Sequence, residues 1–141
     1  NDANRAKAER YVPADAFGES LRPFWDAARS HGAVCIFASP VAMREFDEDS
    51  VCHPSFAAYR EAMRAFAAEV GAPFIDLGAA TAAANTAFGA EHCKARYMWV
   101  GAKQDNAHQQ NAGACRTAQA FVQQLLQDTT PALDVLRANF K

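Results

Sequence analysis

No stretch of this 141-residue sequence is long and apolar enough to span a bilayer, so a membrane partner is not expected. There is also no excess of positive charge. Lys+Arg number 14 against 16 Asp+Glu, for a net charge of -2. Phosphate neutralisation is the first requirement for binding nucleic acid, and a nucleic-acid partner is not expected either. No glycine-rich phosphate cradle occurs, and there is no internal repeat and no low-complexity tract beyond an alanine bias. No basic-then-apolar leader opens the chain, which says little because processing removes such segments. The serines, Ser20, Ser30, Ser39, Ser50 and Ser55, stand in no nucleophile-elbow pattern, so no activated serine is visible.

Cysteine is scarce, at four residues. The doublets Cys52-His53 and His92-Cys93 lack the usual ligand spacing of about two to four residues, so neither a metal nor a cofactor is expected. Cys35 lies in a strand-like apolar run and reads as buried, while Cys52, Cys93 and Cys115 fall in or near loops. A Cys93–Cys115 disulfide and four free thiols packed as small hydrophobes are both open readings.

What is present is a foldable composition: 50% hydrophobic and 21% charged, one domain's length at most. Residues 14–31 predict an amphipathic helix, with Phe17, Leu21, Phe24, Trp25 and Ala28 on one face, Pro13 ahead and Gly32 behind. Ala33–Ser39 is short, apolar and without alternation, the pattern of a strand buried on both faces. A loop over 40–54 follows. A second helix runs from about Pro54 to Val70, with Phe56, Tyr59, Met63, Phe66 and Val70 in register and Gly71 closing it. Pro73–Leu77 reads as another buried strand, 78–90 as an alanine-rich helix, and 91–110 as irregular with anchors at Tyr97 and Trp99. A long helix over 111–127 with Ala114, Ala118, Phe121, Val122, Leu125 and Leu126 on one face precedes a short one from Pro131 to Asn139. This rhythm implies an α/β layered fold. Two strands are too few to cover the apolar faces of so many helices, since sheets usually run to about 4–6 strands. The expectation is that further strands come from another segment or chain.

The sharpest chemical feature is Asp105-Asn106-Ala107-His108, ahead of the last long helix. An Asp three residues before a His can bond one ring nitrogen, fixing the tautomer and leaving the other nitrogen free as a base. The bland alternative is a solvated Asp and a His in a capping region. At the start, Asn1-Asp2 is uninformative alone; a terminal Asn cannot act as an N-terminal nucleophile, which requires a hydroxyl or thiol.

The order of these elements resembles the C-terminal part of the SGNH (GDSL-like) hydrolases, in particular their rhamnogalacturonan acetylesterase-like branch. Asn1-Asp2 with Tyr11-Val12-Pro13 is similar to that branch's third block and the Y-x-P that follows. Gly32-Ala33, Ser39-Pro40-Val41, Arg44 and Phe46-Asp47 resemble its next strand and basic segment. Tyr59–Val70 and Ala72–Leu77 resemble the following helix and strand, and Asp105, His108, Gly113 and Ala114 its last block. The resemblance spans about residues 1–127. It implies a three-layer α/β/α sandwich with a parallel sheet, flavodoxin-like, of which residues 1–141 supply the C-terminal portion. It implies a serine esterase removing acetyl or similar acyl groups from a carbohydrate or small ester. His108 would be the general base, Asp105 its orienting carboxylate and Asn1 an oxyanion donor. The nucleophilic Ser would come from the N-terminal portion of the same domain, and a secreted or periplasmic location is expected. Met43 and Glu45 depart from the branch's basic pattern, Ala107 from its D-N-T-H form, and Gln109-Gln110 from its aromatic-polar pair. The competing readings are a carbohydrate-binding or interaction protein that kept the fold without the chemistry, and a structural subunit whose helices cover a partner's sheet.

Overall fold

Pro23 decides how the first part of the chain folds. The computed structural model describes residues 3–140, and in it the single helix predicted over 14–31 is two: α1 (Ala14–Ser20) and α2 (Arg22–Ser30), meeting at Leu21. A proline inside a helix offers no N–H to the carbonyl four residues back, here that of Glu19, and its ring collides with it. In the first turn of a new helix nothing is lost. Leu21 N–H turns back to the Gly18 carbonyl at 3.0 Å instead. Leu21 and Trp25 pack inward, whereas Phe24 is 70% exposed.

The two apolar stretches become a parallel pair, β1 (Phe37–Ala38) and β2 (Phe74–Ile75), joined by α3 (Ala57–Val70). Phe37 pairs with Phe74 and Ala38 with Ile75. The ladder is shorter than the apolar runs. It is closed by Phe37 N–H to the Pro73 carbonyl and Ser39 N–H to the Ile75 carbonyl, both at 3.0 Å. Helix α3 starts after Phe56, which takes a left-handed conformation (φ 56°), so it begins three residues later than its sequence suggested. It ends at Gly71 (φ +68°), where Ala72 N–H returns to the Ala67 carbonyl at 2.8 Å. Successive strand side chains point to opposite sides. Phe37 and Phe74 join Phe66, Ala67, Met63 and Trp25 of α2 and α3, while Ile36, Ala38 and Ile75 join Leu77, Ala120, Leu125 and Leu133.

After β2 come α4 (Leu77–Phe88), a 3-10 turn (His92–Arg96), β3 (Tyr97–Val100), β4 (Lys103–Gln109) and α5 (Asn111–Gln127). A 3-10 turn (Pro131–Leu133) and α6 (Asp134–Ala138) close the chain. The segment 91–110, expected to be irregular, is thus a turn followed by an antiparallel hairpin. Its second strand, Lys-Gln-Asp-Asn-Ala-His-Gln, carries no alternation of apolar residues. Its pairing is set by the partner strand and by a tight connection with Gly101 at φ +57°. In α5 the buried stripe runs through Gly113, Thr117, Ala120, Phe121, Gln124 and Leu125, leaving the predicted Ala114, Ala118 and Leu126 exposed. The two polar members of the stripe are accommodated by hydrogen bonds: Thr117 Oγ1 to Gln109 Oε1 and Gln124 Nε2 to the Asp76 carbonyl, each 3.0 Å. All four cysteines are free thiols, with Cys52 and Cys93 buried, Cys35 half-buried rather than buried as its sequence suggested, and Cys115 exposed. The disulfide reading is therefore set aside in favour of free thiols.

Asp76 joins α3, α4 and the end of β1. Arg60 grips its carboxylate with two hydrogen bonds (2.8 and 2.7 Å), Arg64 adds a third, and Ser39 Oγ–H donates at 3.0 Å. Ala79 N–H, at 3.2 Å, makes the same carboxylate the N-cap of α4. The Arg60 bonds, then those from Ala79, Arg64 and Ser39, hold the carboxyl well below the usual carboxylate range. A depressed folded-state pKa adds stability above the unfolded value of about 3.9, and that contribution is lost as pH falls through the folded one. Asp76→Asn is expected to destabilise the protein by about 2–3 kcal/mol at pH 7. In urea titrations the gap to the parent should shrink progressively below about pH 4. A gap that stayed constant over that acid range would contradict the assignment.

Candidate active site

The hairpin that carries Asp105 and His108 is fixed to the core through Tyr97, which is fully buried. Its hydroxyl donates to the Ala42 carbonyl at 2.6 Å and accepts from Asn85 Nδ2 at 2.9 Å, and burial pushes the phenol's pKa up. Ala42 N–H in turn donates to Thr81 Oγ1 on α4 at 2.9 Å. The hairpin, the loop after β1 and α4 therefore form one hydrogen-bonded unit. The start of α5 closes against it: Gln110 N–H donates to the Arg96 carbonyl at 2.9 Å, and the Gln110 side chain donates to the Tyr97 carbonyl.

The pairing register then creates the site. Met98 pairs with Asp105 and Tyr97 with Gln109, so Asn106, Ala107 and His108 have no opposite number on β3 and bulge outward. Bulges of this kind bend the strand and re-aim side chains. Asp105 makes the excursion possible. Its Oδ1 accepts from the backbone N–H groups of Ala107 and His108, both at 2.9 Å, the local turn that aspartate side chains favour. Its Oδ2 faces His108 Nδ1 at 2.9 Å, with Lys103 Nζ at 3.6 Å. The backbone N–H groups of His108 and Ala107, then the His108 ring, hold the Asp105 carboxyl well below the usual carboxylate range. The carboxylate thus stays ionised and acceptor-only, which places a proton on His108 Nδ1 and leaves Nε2 as the acceptor. The imidazole is 80% exposed and Asp105 only 18%. Among the described residues no side chain hydrogen-bonds Nε2.

The structure thus brings the predicted Asp105 and His108 together, on a strand bulge rather than in a loop. Asn1 and Asp2 lie outside the described residues. Four of the five serines are engaged elsewhere: Ser39 on Asp76, Ser55 accepting from Met43 N–H at 2.8 Å, Ser20 on the Phe17 carbonyl, and Ser30 on the Ala27 carbonyl and 3.1 Å from the Nδ1 of His31, which itself bonds that carbonyl. Among the described residues no group of three or more His, Cys, Asp or Glu could hold a metal ion. Sequence reasoning missed a second pair, His53 Nε2 to Asp47 Oδ2 at 2.6 Å, in the loop after β1. The Val51 backbone N–H, then His53, hold the Asp47 carboxyl below its usual range. The partners lie six positions apart across a left-handed turn at Ser50, a spacing with no sequence signature. It also missed that Arg44 and Trp99 converge on Asn106, inside the bulge.

No family model matches the chain. It is 30% identical over 142 aligned residues to the rhamnogalacturonan acetylesterase RhgT of Bacillus subtilis (strain 168), a match covering 94% of this chain and 61% of that protein. Among solved structures, the crystal structure of protein YxiM from Bacillus subtilis superposes with a TM-score of 0.80 at 26% identity, covering 93% of this chain and 35% of that one. The chain therefore spans about three-fifths of the length of the curated relative it matches.

Proposed function

We propose that this chain, 30% identical to a rhamnogalacturonan acetylesterase, carries the acid–base half of an SGNH-type serine esterase acting on acylated carbohydrate. The observation that carries the proposal is the 2.9 Å contact between Asp105 Oδ2 and His108 Nδ1, with Nε2 turned to an open face. In this reading Nε2 takes the proton of a serine hydroxyl as that oxygen attacks the ester carbonyl, and then returns it to the leaving alcohol. The resulting acyl-enzyme is hydrolysed by water activated by the same nitrogen. Asp105 holds the ring and stabilises the imidazolium that forms transiently.

The serine is assigned to a segment outside these 141 residues. Supporting this, every serine with a described hydrogen bond is turned to another partner, and the chain matches only 61% of its relative's length. The same segment is proposed to add strands beside β1 and β2, completing a three-layer sandwich. Apolar clusters on both faces of the strand pair suit that arrangement. Asn1 is assigned the oxyanion-donor role by the resemblance alone. Acetyl is the favoured acyl group because the relative's name specifies it.

The test is hydrolysis of a chromogenic acetate ester, and then of an acetylated pectic polysaccharide, by the full-length protein that carries this chain. Release of acetate that depends on His108 is the expected result. A folded protein that binds the polysaccharide and releases no acetate would favour the non-catalytic carbohydrate-binding reading.

A further inference from the structure

An imidazole that is 80% exposed has little packing of its own to hold its rotamer, so its aim depends on the backbone from which it projects. That backbone is a bulge without partners on β3, yet one residue of it is held from two other directions. Arg44 N–H, in the loop after β1, donates to the Asn106 carbonyl at 2.8 Å. Trp99 Nε1–H, from β3, donates to Asn106 Oδ1 at 2.8 Å, and Arg44 Nη1 reaches the same oxygen at 3.4 Å. Arg44 is itself immobilised: Nε and Nη2 both donate to the Ala90 carbonyl (3.1 and 2.8 Å), and its guanidinium lies 4.6 Å over the Trp99 ring. Lys94 covers the same ring at 4.8 Å. The half-buried Arg44 and Trp99 therefore grip the main chain and the side chain of the residue that separates Asp105 from Ala107 and His108.

We infer that Asn106 is a positioning residue: clamped by Trp99 and Arg44, it holds the 105–108 turn in the geometry that joins His108 Nδ1–H to Asp105. The inference rests on reading His108 as the general base, although Asn106 itself touches neither proton nor ester. A side-chain oxygen at position 106 is what the clamp requires. Alanine there leaves the Trp99 N–H unpaired, whereas aspartate keeps an acceptor.

The test uses the full-length protein with three variants. Trp99→Phe removes only the N–H while leaving an aromatic face for Arg44 and Lys94. Asn106→Ala removes the acceptor, and Asn106→Asp retains it. A misplacement of about 1 Å can cost on the order of a hundredfold in rate. Trp99→Phe and Asn106→Ala should lower kcat by about tenfold or more with KM within about twofold, and should abolish the low-field proton resonance of His108 Nδ1–H. Asn106→Asp should keep that resonance and restore most of kcat. Persistence of the resonance in Trp99→Phe overturns the inference, whatever the rate. If His108→Ala leaves hydrolysis unchanged, the reading of the base fails, and the resonance alone still decides the clamp.

Discussion

Replacing His108 with alanine in the full-length protein is expected to lower kcat for an acetate ester by about three orders of magnitude or more, with KM changed little. The effect follows from the two steps proposed for Nε2: removal of the serine proton during acylation and its return to the departing alcohol. Without that relay the hydroxyl attacks as a neutral and weak nucleophile, and only binding and oxyanion stabilisation remain. Asp105→Asn should be nearly as damaging, about 10³–10⁴-fold, for a different reason. An amide can present N–H to Nδ1, which reverses the tautomer, places the proton on Nε2 and removes the base while leaving the shape of the site intact. The two backbone hydrogen bonds to Oδ1 can survive on an amide oxygen, so this variant should fold. Steady-state kinetics with thermal melts separate the outcomes. Loss of activity with an unchanged melt supports the assignment, and full activity in Asp105→Asn would contradict the role given to that carboxylate.

The largest expected effect on stability comes from a residue with no side chain. A Cβ built on Gly113 would lie 2.2 Å from the Arg96 carbonyl oxygen and 3.1 Å from Gln109 Cβ. The oxygen belongs to the backbone, and it already accepts the Gln110 N–H that ties the hairpin to α5. It cannot yield without moving the start of β3, against which the bulged strand β4 pairs. Gly113→Ala is therefore expected to cost about 3 kcal/mol, at the upper end of overpacking. Even partial relaxation should lower kcat by displacing His108. Denaturant titration measures the first effect and kinetics the second. A variant as stable as the parent would show that α5 does not pack so closely on the turn before β3.

Much of this molecule can be read from its residues, and where reading fails the reasons are physical. Helix α5 was legible to its boundaries because a long 3.6-residue pattern leaves little ambiguity, yet its buried stripe was misplaced. Thr117 and Gln124 occupy positions that hydropathy assigns to solvent, and only the fold supplies their partners. The apolar face of residues 14–31 runs on through Pro23, so periodicity predicts one helix where the proline makes two. The hairpin was invisible for a related reason. Strand β4 gains its pairing from tertiary contacts and has no periodic signal of its own. The Asp105 and His108 pair was legible because three residues is a distance a local turn can span. The Arg44, Trp99 and Asn106 clamp was not, because its members lie 62 and 7 positions apart and meet only through the bulge.

The most direct measurement of the central claim is covalent trapping of the nucleophile. The full-length protein would be treated with a fluorophosphonate, digested, and the labelled serine mapped by mass spectrometry. The account predicts one labelled serine, in sequence preceding Asn1, with labelling greatly slowed in His108→Ala. A label on Ser20, Ser30, Ser39, Ser50 or Ser55, or labelling indifferent to His108, would contradict it.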